Sequence, residues 1–253
     1  PYIKGDLISA NLIKDISVDN NKVSIKIEFG YPIKGIKQEL LEKIKMAFSK
    51  LDAIECNIEI SSKIFSHAAQ KGTQVLPNVK NTIAVASGKG GVGKSTTSVN
   101  LALALQVEGA NVGILDADIY GPSQPRMLGL KGKPDSLDGK TVEPKEGYHI
   151  QSMSIGYLIN EETPMIWRGP MVTGALEQLL NETNWKDLDY LIIDLPPGTG
   201  DIQLTLCQKI PVSGAVIVTT PQDIALLDAK KALKMFEKVE VLILGVVENM
   251  STH

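Results

Sequence analysis

The stretch Gly88-Lys89-Gly90-Gly91-Val92-Gly93-Lys94-Ser95 decides the fold of most of this 253-residue chain. It follows the apolar run 83–86 and precedes the apolar segment 96–107, so it lies between a predicted strand and a predicted helix. The spacing G-x-x-x-x-G-K-S/T is that of a phosphate-binding loop. Glycines let backbone N–H groups point at phosphate oxygens, and the helix N-terminus adds favourable partial charge. The stretch therefore predicts an ATP site on an α/β sheet.

The residues of this loop have distinct predicted roles. Lys94 is expected to reach the β- and γ-phosphates, and the hydroxyl of Ser95 to ligate Mg²⁺. Lys89 occupies a position that the motif leaves unconstrained, so the residues alone also allow a solvated surface lysine. The remaining predicted nucleotide-binding residues are Gly88, Gly90, Gly91, Val92, Gly93 and Thr96.

Two further apolar runs end in aspartate. Run 191–193 is followed by Asp194, and run 112–115 is followed by Asp116 and then Asp118. Because the carboxyl ends of parallel strands meet at one edge of a sheet, we expect these carboxylates to converge on the phosphate loop. Asp116 and Asp194 are the predicted Mg²⁺ ligands. Asp118 is predicted to orient the attacking water during ATP hydrolysis, with a strand-end cap as the alternative.

The apolar pattern divides the chain into two domains. Residues 1–62 predict a small α+β domain, because strictly alternating segments flank an amphipathic helix over 34–51. Residues 63–80, rich in Ser, Lys, Gln and Gly, predict a linker. Residues 81–253 predict a P-loop ATPase domain with a doubly wound, mainly parallel sheet, since its apolar runs lack polar alternation. The longest run, 241–247, is interpreted as a buried strand.

Composition excludes several classes of protein. With 43% hydrophobic and 22% charged residues the chain is not disordered, and a net charge of −3 offers no overall footprint for nucleic acid. No apolar run approaches the roughly 20 residues that span a bilayer. Cys56 and Cys207 are the two cysteines, each predicted to lie in a core, and the first residues do not resemble a signal peptide. We therefore predict a cytoplasmic protein with no nucleic-acid or membrane partner.

Five motifs in order resemble the Mrp/ApbC branch of the deviant Walker ATPases, which is related to MinD, ParA and the nitrogenase iron protein. They are GKGGVGKST, LDADIYGPSQPRMLG, WRGPM, DLPPGTGD and ENMS. GDLISANLIKDI is similar to the small domain often fused ahead of the ATPase in this branch. The resemblance implies an ATP-binding homodimer that transfers [4Fe-4S] clusters to apo iron–sulfur proteins.

The same resemblance assigns two more site residues. It implies that Lys89 serves a nucleotide held between two subunits, and that Asn249 contacts the adenine base. For Asn249 a strand-end cap is the alternative. The segment of Trp167 and Arg168 has two possible roles: a contact with the dimer interface or with phosphate, or an ordinary surface element.

The cluster ligands that the family uses are absent from this sequence. In the family they are a Cys-x-x-Cys pair shortly after ENMS, one pair from each subunit, whereas this sequence ends at His253. We expect the ligands to lie in a C-terminal part of the domain that is missing here. Two functions compete with cluster transfer: a ParA/MinD-like partitioning or positioning ATPase, and a reductase like the nitrogenase iron protein.

Overall fold

The computed structural model describes residues 5–50, 55–70, 73, 75–159 and 169–252. The chain forms two compact units: Pro1–Phe65 with Val107–Gly109, and Ser66–Gln106 with Ala110–His253. The predicted helix end at Leu51, part of the predicted linker and the segment of Trp167 and Arg168 lie outside the described residues.

The first unit is a three-stranded sheet with one helix. Its elements are β1 (Ile13–Asp19), β2 (Lys22–Phe29), α1 (Lys37–Phe48) and β3 (Glu55–Ser62). β1 pairs antiparallel with β2, which pairs parallel with β3. Alternation along β2 buries Ile25, Ile27 and Phe29, and Leu40 and Ile44 of α1 pack against them. The predicted α+β fold is confirmed, with a helix shorter than the predicted 34–51.

The second unit is a seven-stranded sheet in the order β10-β9-β4-β8-β5-β7-β6. Its strands are β4 (Val79–Ser87), β5 (Val112–Asp116), β6 (Lys145–Gly147), β7 (Ile150–Ser154), β8 (Leu188–Asp194), β9 (Gly214–Thr219) and β10 (Ile243–Glu248). Its helices are α2 (Lys94–Val107), α3 (Gln124–Met127), α4 (Gly169–Glu182), α5 (Asp201–Lys209) and α6 (Asp223–Lys238). Among the strand pairs that the described residues form in this sheet, only that of β6 with β7 is antiparallel. The predicted, mainly parallel α/β fold is confirmed.

The core of this unit lies around β8, between β4 and β5. Leu191, Ile192 and Ile193 are fully buried there, as expected for a strand covered on both faces. Amphipathic α6 buries Phe236 while Ile224 remains exposed. Within the described ranges, no helix combines the length and hydropathy that a bilayer span requires.

β10 differs from its prediction as a buried strand over 241–247. The strand forms at Ile243–Glu248, but 51% of Leu244 and 55% of Val246 are exposed. β10 lies at one edge of the sheet and, within the part of the chain that the structure describes, pairs only with β9. A strand made of apolar residues is buried only when other elements cover both faces of the sheet at that strand. The described residues leave much of β10 exposed. The predicted strand is therefore present, and its predicted burial is wrong.

Part of the predicted linker 63–80 is built into the second unit. The backbone N–H of His67 donates to Oδ1 of Asn81 at 3.0 Å. The N–H of Gln70 donates to the carbonyl of Val212 at 3.2 Å. Part of this polar segment therefore forms hydrogen bonds with the second unit. Its composition alone does not distinguish such a segment from a linker.

Strand register positions the functional residues. β4, β8 and β5 are parallel neighbours, and Asp194 on β8 lies level with Val85 on β4 and Asp116 on β5. The loops that leave these strands consequently start from the same edge of the sheet. This edge carries the phosphate loop and the predicted carboxylates.

Candidate functional site

The phosphate loop joins β4 to α2 and is packed from two sides. Gly93 has a φ of +86°, and a Cβ there would overlap the side-chain amide of Asn249. A Cβ on Gly88 would overlap the backbone carbonyl group of Asp228 on α6. These close approaches require glycine at both positions and hold the loop in place.

Lys94 begins α2 and directs its side chain into the protein, with only 6% exposed. Its Nζ lies 2.5 Å from Oδ1 of Asp194 and 3.7 Å from Oδ2 of Asp118. It also donates to the hydroxyl of Ser95 at 3.2 Å. The structure thus brings these four predicted site residues together around one ammonium group.

Asp194 ends β8 and is fully buried. Its Oδ1 accepts hydrogen bonds from Lys94 and from the hydroxyl of Ser98 at 3.0 Å. Its Oδ2 accepts a hydrogen bond from Nε2 of Gln124 at 2.9 Å. A buried carboxylate is costly unless it is paired and hydrogen-bonded. These donors compensate the charge of Asp194 and fix its orientation.

Asp116 ends β5 and is also fully buried, but its oxygens serve the following loop. Oδ1 accepts the N–H of Asp118 at 3.2 Å, and Oδ2 accepts the N–H groups of Ser123 at 2.9 Å and Gln124 at 3.0 Å. The hydroxyl of Ser154 adds a bond to Oδ2 at 3.1 Å. This geometry orders the loop 117–124, whereas the role of Asp116 as a Mg²⁺ ligand stays a prediction.

Burial and the nearby charge of Asp194 together raise the pKa of Asp116 to about 7, although the hydrogen bonds from the loop N–H groups oppose the shift. Burial also raises the pKa of Asp118, against the attraction of Lys94. The site therefore favours protonation of these two acids. A divalent cation or a proton can relieve the same excess of negative charge.

Lys89 lies on the phosphate loop, and Asn249 packs against it. Lys89 is half-buried, and no carboxylate of the described residues lies within 4.0 Å of its Nζ. Asn249 follows β10, and its Nδ2 donates to the carbonyl of Val92 at 3.0 Å. That bond ties the end of β10 to the phosphate loop. The adenine contact of Asn249 and the action of Lys89 on a nucleotide stay predictions.

Two residues of the site were not predicted from the sequence. Ser98 lies one helical turn after Lys94 on α2, and this spacing places both on the same face of the helix. The i, i+4 relation was therefore an available signal for Ser98. Gln124 lies within the LDADIYGPSQPRMLG motif, but nothing in its spacing indicates that its amide is fully buried against Asp194.

The donor set fits magnesium. Mg²⁺ prefers oxygen ligands and is commonly held by one or two protein groups together with substrate phosphates. Ser95 and Asp194 supply such oxygens beside the phosphate loop. Across the part of the chain that the structure describes, no three His, Cys, Asp or Glu side chains form a metal site by themselves. The residues therefore suit a metal shared with phosphate oxygens.

Comparison with known families matches nearly the whole chain. Residues 78–253 match the family of NUBPL iron-transfer P-loop NTPases, and residues 1–60 match the iron–sulfur cluster assembly protein family. An iron–sulfur cluster carrier protein from Pseudomonas fragi is 60% identical over 213 residues, which cover 83% of this chain and 74% of that protein. A carrier protein of the same description from Haemophilus influenzae is 51% identical and covers 100% of this chain, which spans 69% of it.

A solved structure shares the architecture of the second unit. It is a nucleotide-binding protein from Archaeoglobus fulgidus in complex with ADP, with 42% sequence identity and a TM-score of 0.59. The match covers 68% of each chain. Similarity at this level of identity supports a common fold.

Replacing Asp116 with Asn tests the buried acid. Because its pKa of about 7 in the folded protein exceeds the ordinary value of 3.8, the folded state binds the proton more tightly. This stabilisation is complete below about pH 4 and is lost as the pH rises through about 7. Asn imitates the neutral acid, so the free energy of unfolding of Asp116→Asn should rise relative to the parent by about 1.4 kcal/mol per pH unit between pH 4 and 7.

The measurement is denaturant unfolding followed by tryptophan fluorescence between pH 4 and 8. Trp185 is buried in the second unit, so its fluorescence reports on that unit. Asp223→Asn, at an exposed position in the first turn of α6, controls for the loss of one charge. A difference between Asp116→Asn and parent that does not change with pH would show that Asp116 does not retain a proton.

Proposed function

The chain belongs to the family of NUBPL iron-transfer P-loop NTPases, and on that premise we propose that it binds and hydrolyses Mg-ATP and carries [4Fe-4S] clusters to apo iron–sulfur proteins. The nucleotide role is supported by the convergence of Lys94, Ser95 and Asp194 beside the phosphate loop. The carrier role is supported by relatives described as cluster carriers at 60% and 51% identity.

Nucleotide binding requires Lys94 to exchange partners. Its ammonium lies 2.5 Å from Asp194, and the β- and γ-phosphates offer a stronger anionic partner at the mouth of the loop. Ser98 and Gln124 keep their hydrogen bonds to Asp194 when the lysine leaves. Asp194 and Ser95 are then free to hold Mg²⁺, which neutralises charge on the phosphates when bound.

Hydrolysis of ATP requires an oriented water and a second positive charge. Asp118 lies beside Lys94 with 13% of its side chain exposed, so its carboxylate can reach a water next to the γ-phosphate. Lys89 lies on the phosphate loop, half-buried and without a carboxylate partner among the described residues. We assign Lys89 to the nucleotide of the partner subunit in a homodimer.

The cluster is cargo in this function, and the two cysteines of the sequence are poor candidates for holding it. Cys207 is fully buried, and burial raises the pKa of its thiol to about 12, which disfavours the thiolate that binds iron. Cys56 belongs to the first unit, where burial also raises the pKa of its thiol. The Cys-x-x-Cys pair expected from the family is therefore still required. The proposed setting is the cytoplasm, where free thiols stay reduced.

Replacing Lys94 tests the nucleotide site. Lys94→Ala removes the charge that meets the phosphates, which costs roughly 2 to 4 kcal/mol of binding and should reduce ATP hydrolysis to background. Affinity for Mg-ADP is measured by calorimetry and hydrolysis by phosphate release. The matched control is Lys80→Ala, because Lys80 also pairs with an aspartate, Asp189, at 2.6 Å but begins β4 rather than following it.

Loss of Lys94 also leaves Asp194 without its cation, which can unfold the protein. Lys94→Gln, which keeps a donor for Asp194 but lacks the charge, therefore accompanies it. Normal hydrolysis by either folded variant would contradict the proposed function.

Mixing two inactive variants tests the assignment of Lys89. Lys89→Ala should lower hydrolysis by up to about 10³-fold with little change in nucleotide affinity, because the lysine acts on the transition state in the partner's site. In a mixed dimer of Lys89→Ala and Asp118→Ala, one site has an intact Asp118 and receives Lys89 from the other subunit. Activity should then partly return. Mixed dimers that mass spectrometry detects but that remain inactive would rule out action across the interface.

A further inference from the structure

Gln124 is a fully buried residue that contacts three parts of the nucleotide site. It begins the short helix α3, at the end of the loop that carries Asp118. Its backbone N–H donates to Oδ2 of Asp116 at 3.0 Å. Through its main chain, Gln124 is therefore tied to β5, and through its side chain it reaches two other elements.

The side-chain amide nitrogen of Gln124 uses both of its hydrogens. Nε2 donates to Oδ2 of Asp194 at 2.9 Å and to the carbonyl oxygen of Ser95 at 3.0 Å. Both acceptors belong to residues that we assign to Mg²⁺ binding. Since hydrogen bonds to a charged acceptor are about twice as strong as neutral ones, the contact with Asp194 restricts the rotation of that carboxylate.

The amide oxygen of Gln124 is buried and has no hydrogen-bond partner among the described residues. It is bonded to the same carbon as Nε2, so it lies close to Asp194 and Ser95. A buried acceptor without a donor destabilises the folded protein. The amide oxygen gains a hydrogen-bond partner if the ligand brings a donor with it. Water molecules coordinated to Mg²⁺ are strong donors of this kind beside a phosphate loop.

We propose that Gln124 is a positioning residue for the magnesium of the bound nucleotide: its amide nitrogen holds Asp194 and Ser95, and its amide oxygen accepts a hydrogen bond from a metal-bound water. This inference rests on the proposed nucleotide function. Groups that orient metal ligands in this way typically contribute 10- to 100-fold to metal affinity or activity. The main chain of Gln124 is hydrogen-bonded to Asp116, which also accepts the N–H of Asp118. Gln124 therefore connects the metal site to the position of the loop that carries Asp118.

The test is the affinity for ADP measured by calorimetry twice, with Mg²⁺ and with EDTA. Gln124→Met keeps the length of the side chain and removes both donors and the acceptor. The dissociation constant for Mg-ADP should rise 10- to 100-fold, while that for ADP in EDTA should change by less than about twofold. The matched control is Gln151→Met, which removes an amide that bonds to Lys186 at 2.8 and 2.9 Å, away from the phosphate loop. It should alter neither constant.

Melting temperatures without nucleotide establish whether the variants fold. If Gln124→Met does not fold, Gln124→Asn keeps the amide on a side chain that is one carbon shorter and cannot make the same contacts, and it should show the same selective loss. Equal weakening with and without Mg²⁺ would mean that Gln124 only supports packing of the loop and would overturn the inference, as would unchanged affinities. A parent protein that binds no Mg-ADP would instead overturn the proposed nucleotide function on which the inference rests.

Discussion

Compensation of one buried carboxylate organises the carboxyl edge of the large sheet. Asp194 is fully buried at the end of the central strand β8, and its charge is matched by Lys94, Ser98 and Gln124. An uncompensated buried charge costs several kcal/mol, so the helix that carries each donor must place it within hydrogen-bond distance of Asp194. This requirement fixes the inward side chain of Lys94 at the start of α2 and the burial of Gln124 at the start of α3.

A second buried acid extends this order to the neighbouring loop. Strand register places Asp116 level with Asp194, and burial together with the neighbouring charge of Asp194 raises the pKa of Asp116. Its oxygens bond to the N–H groups of the loop that carries Asp118. Among the described residues, Lys94 is the one cation within 4.0 Å of these acids, so the site retains an excess of negative charge. That excess suits a divalent cation.

The sequence predicted the parts of the site that follow from local pattern. The phosphate loop is a contiguous motif, and parallel strands bring Asp116, Asp118 and Asp194 to one edge, so their convergence could be expected. The burial of Gln124 and the use of Asp116 by loop N–H groups depend on how a loop folds back onto the sheet, which spacing does not encode. Exposure of β10 depends equally on which elements cover it. β6 has three residues, and Gln and Ser interrupt the apolar residues of β7, so neither strand forms an apolar run that the sequence reveals.

We expect Asp194 to hold Lys94 until nucleotide phosphate takes its place. The variant Asp118→Ala should bind ATP without hydrolysing it, so a crystal structure of this variant with Mg²⁺ and ATP tests the exchange. In that structure Lys94 Nζ should lie within hydrogen-bond distance of the β- and γ-phosphate oxygens and more than about 4 Å from Asp194. Ser98 and Gln124 should remain bonded to Asp194. A structure in which bound nucleotide leaves Lys94 hydrogen-bonded to Asp194, with no contact to phosphate, would contradict it.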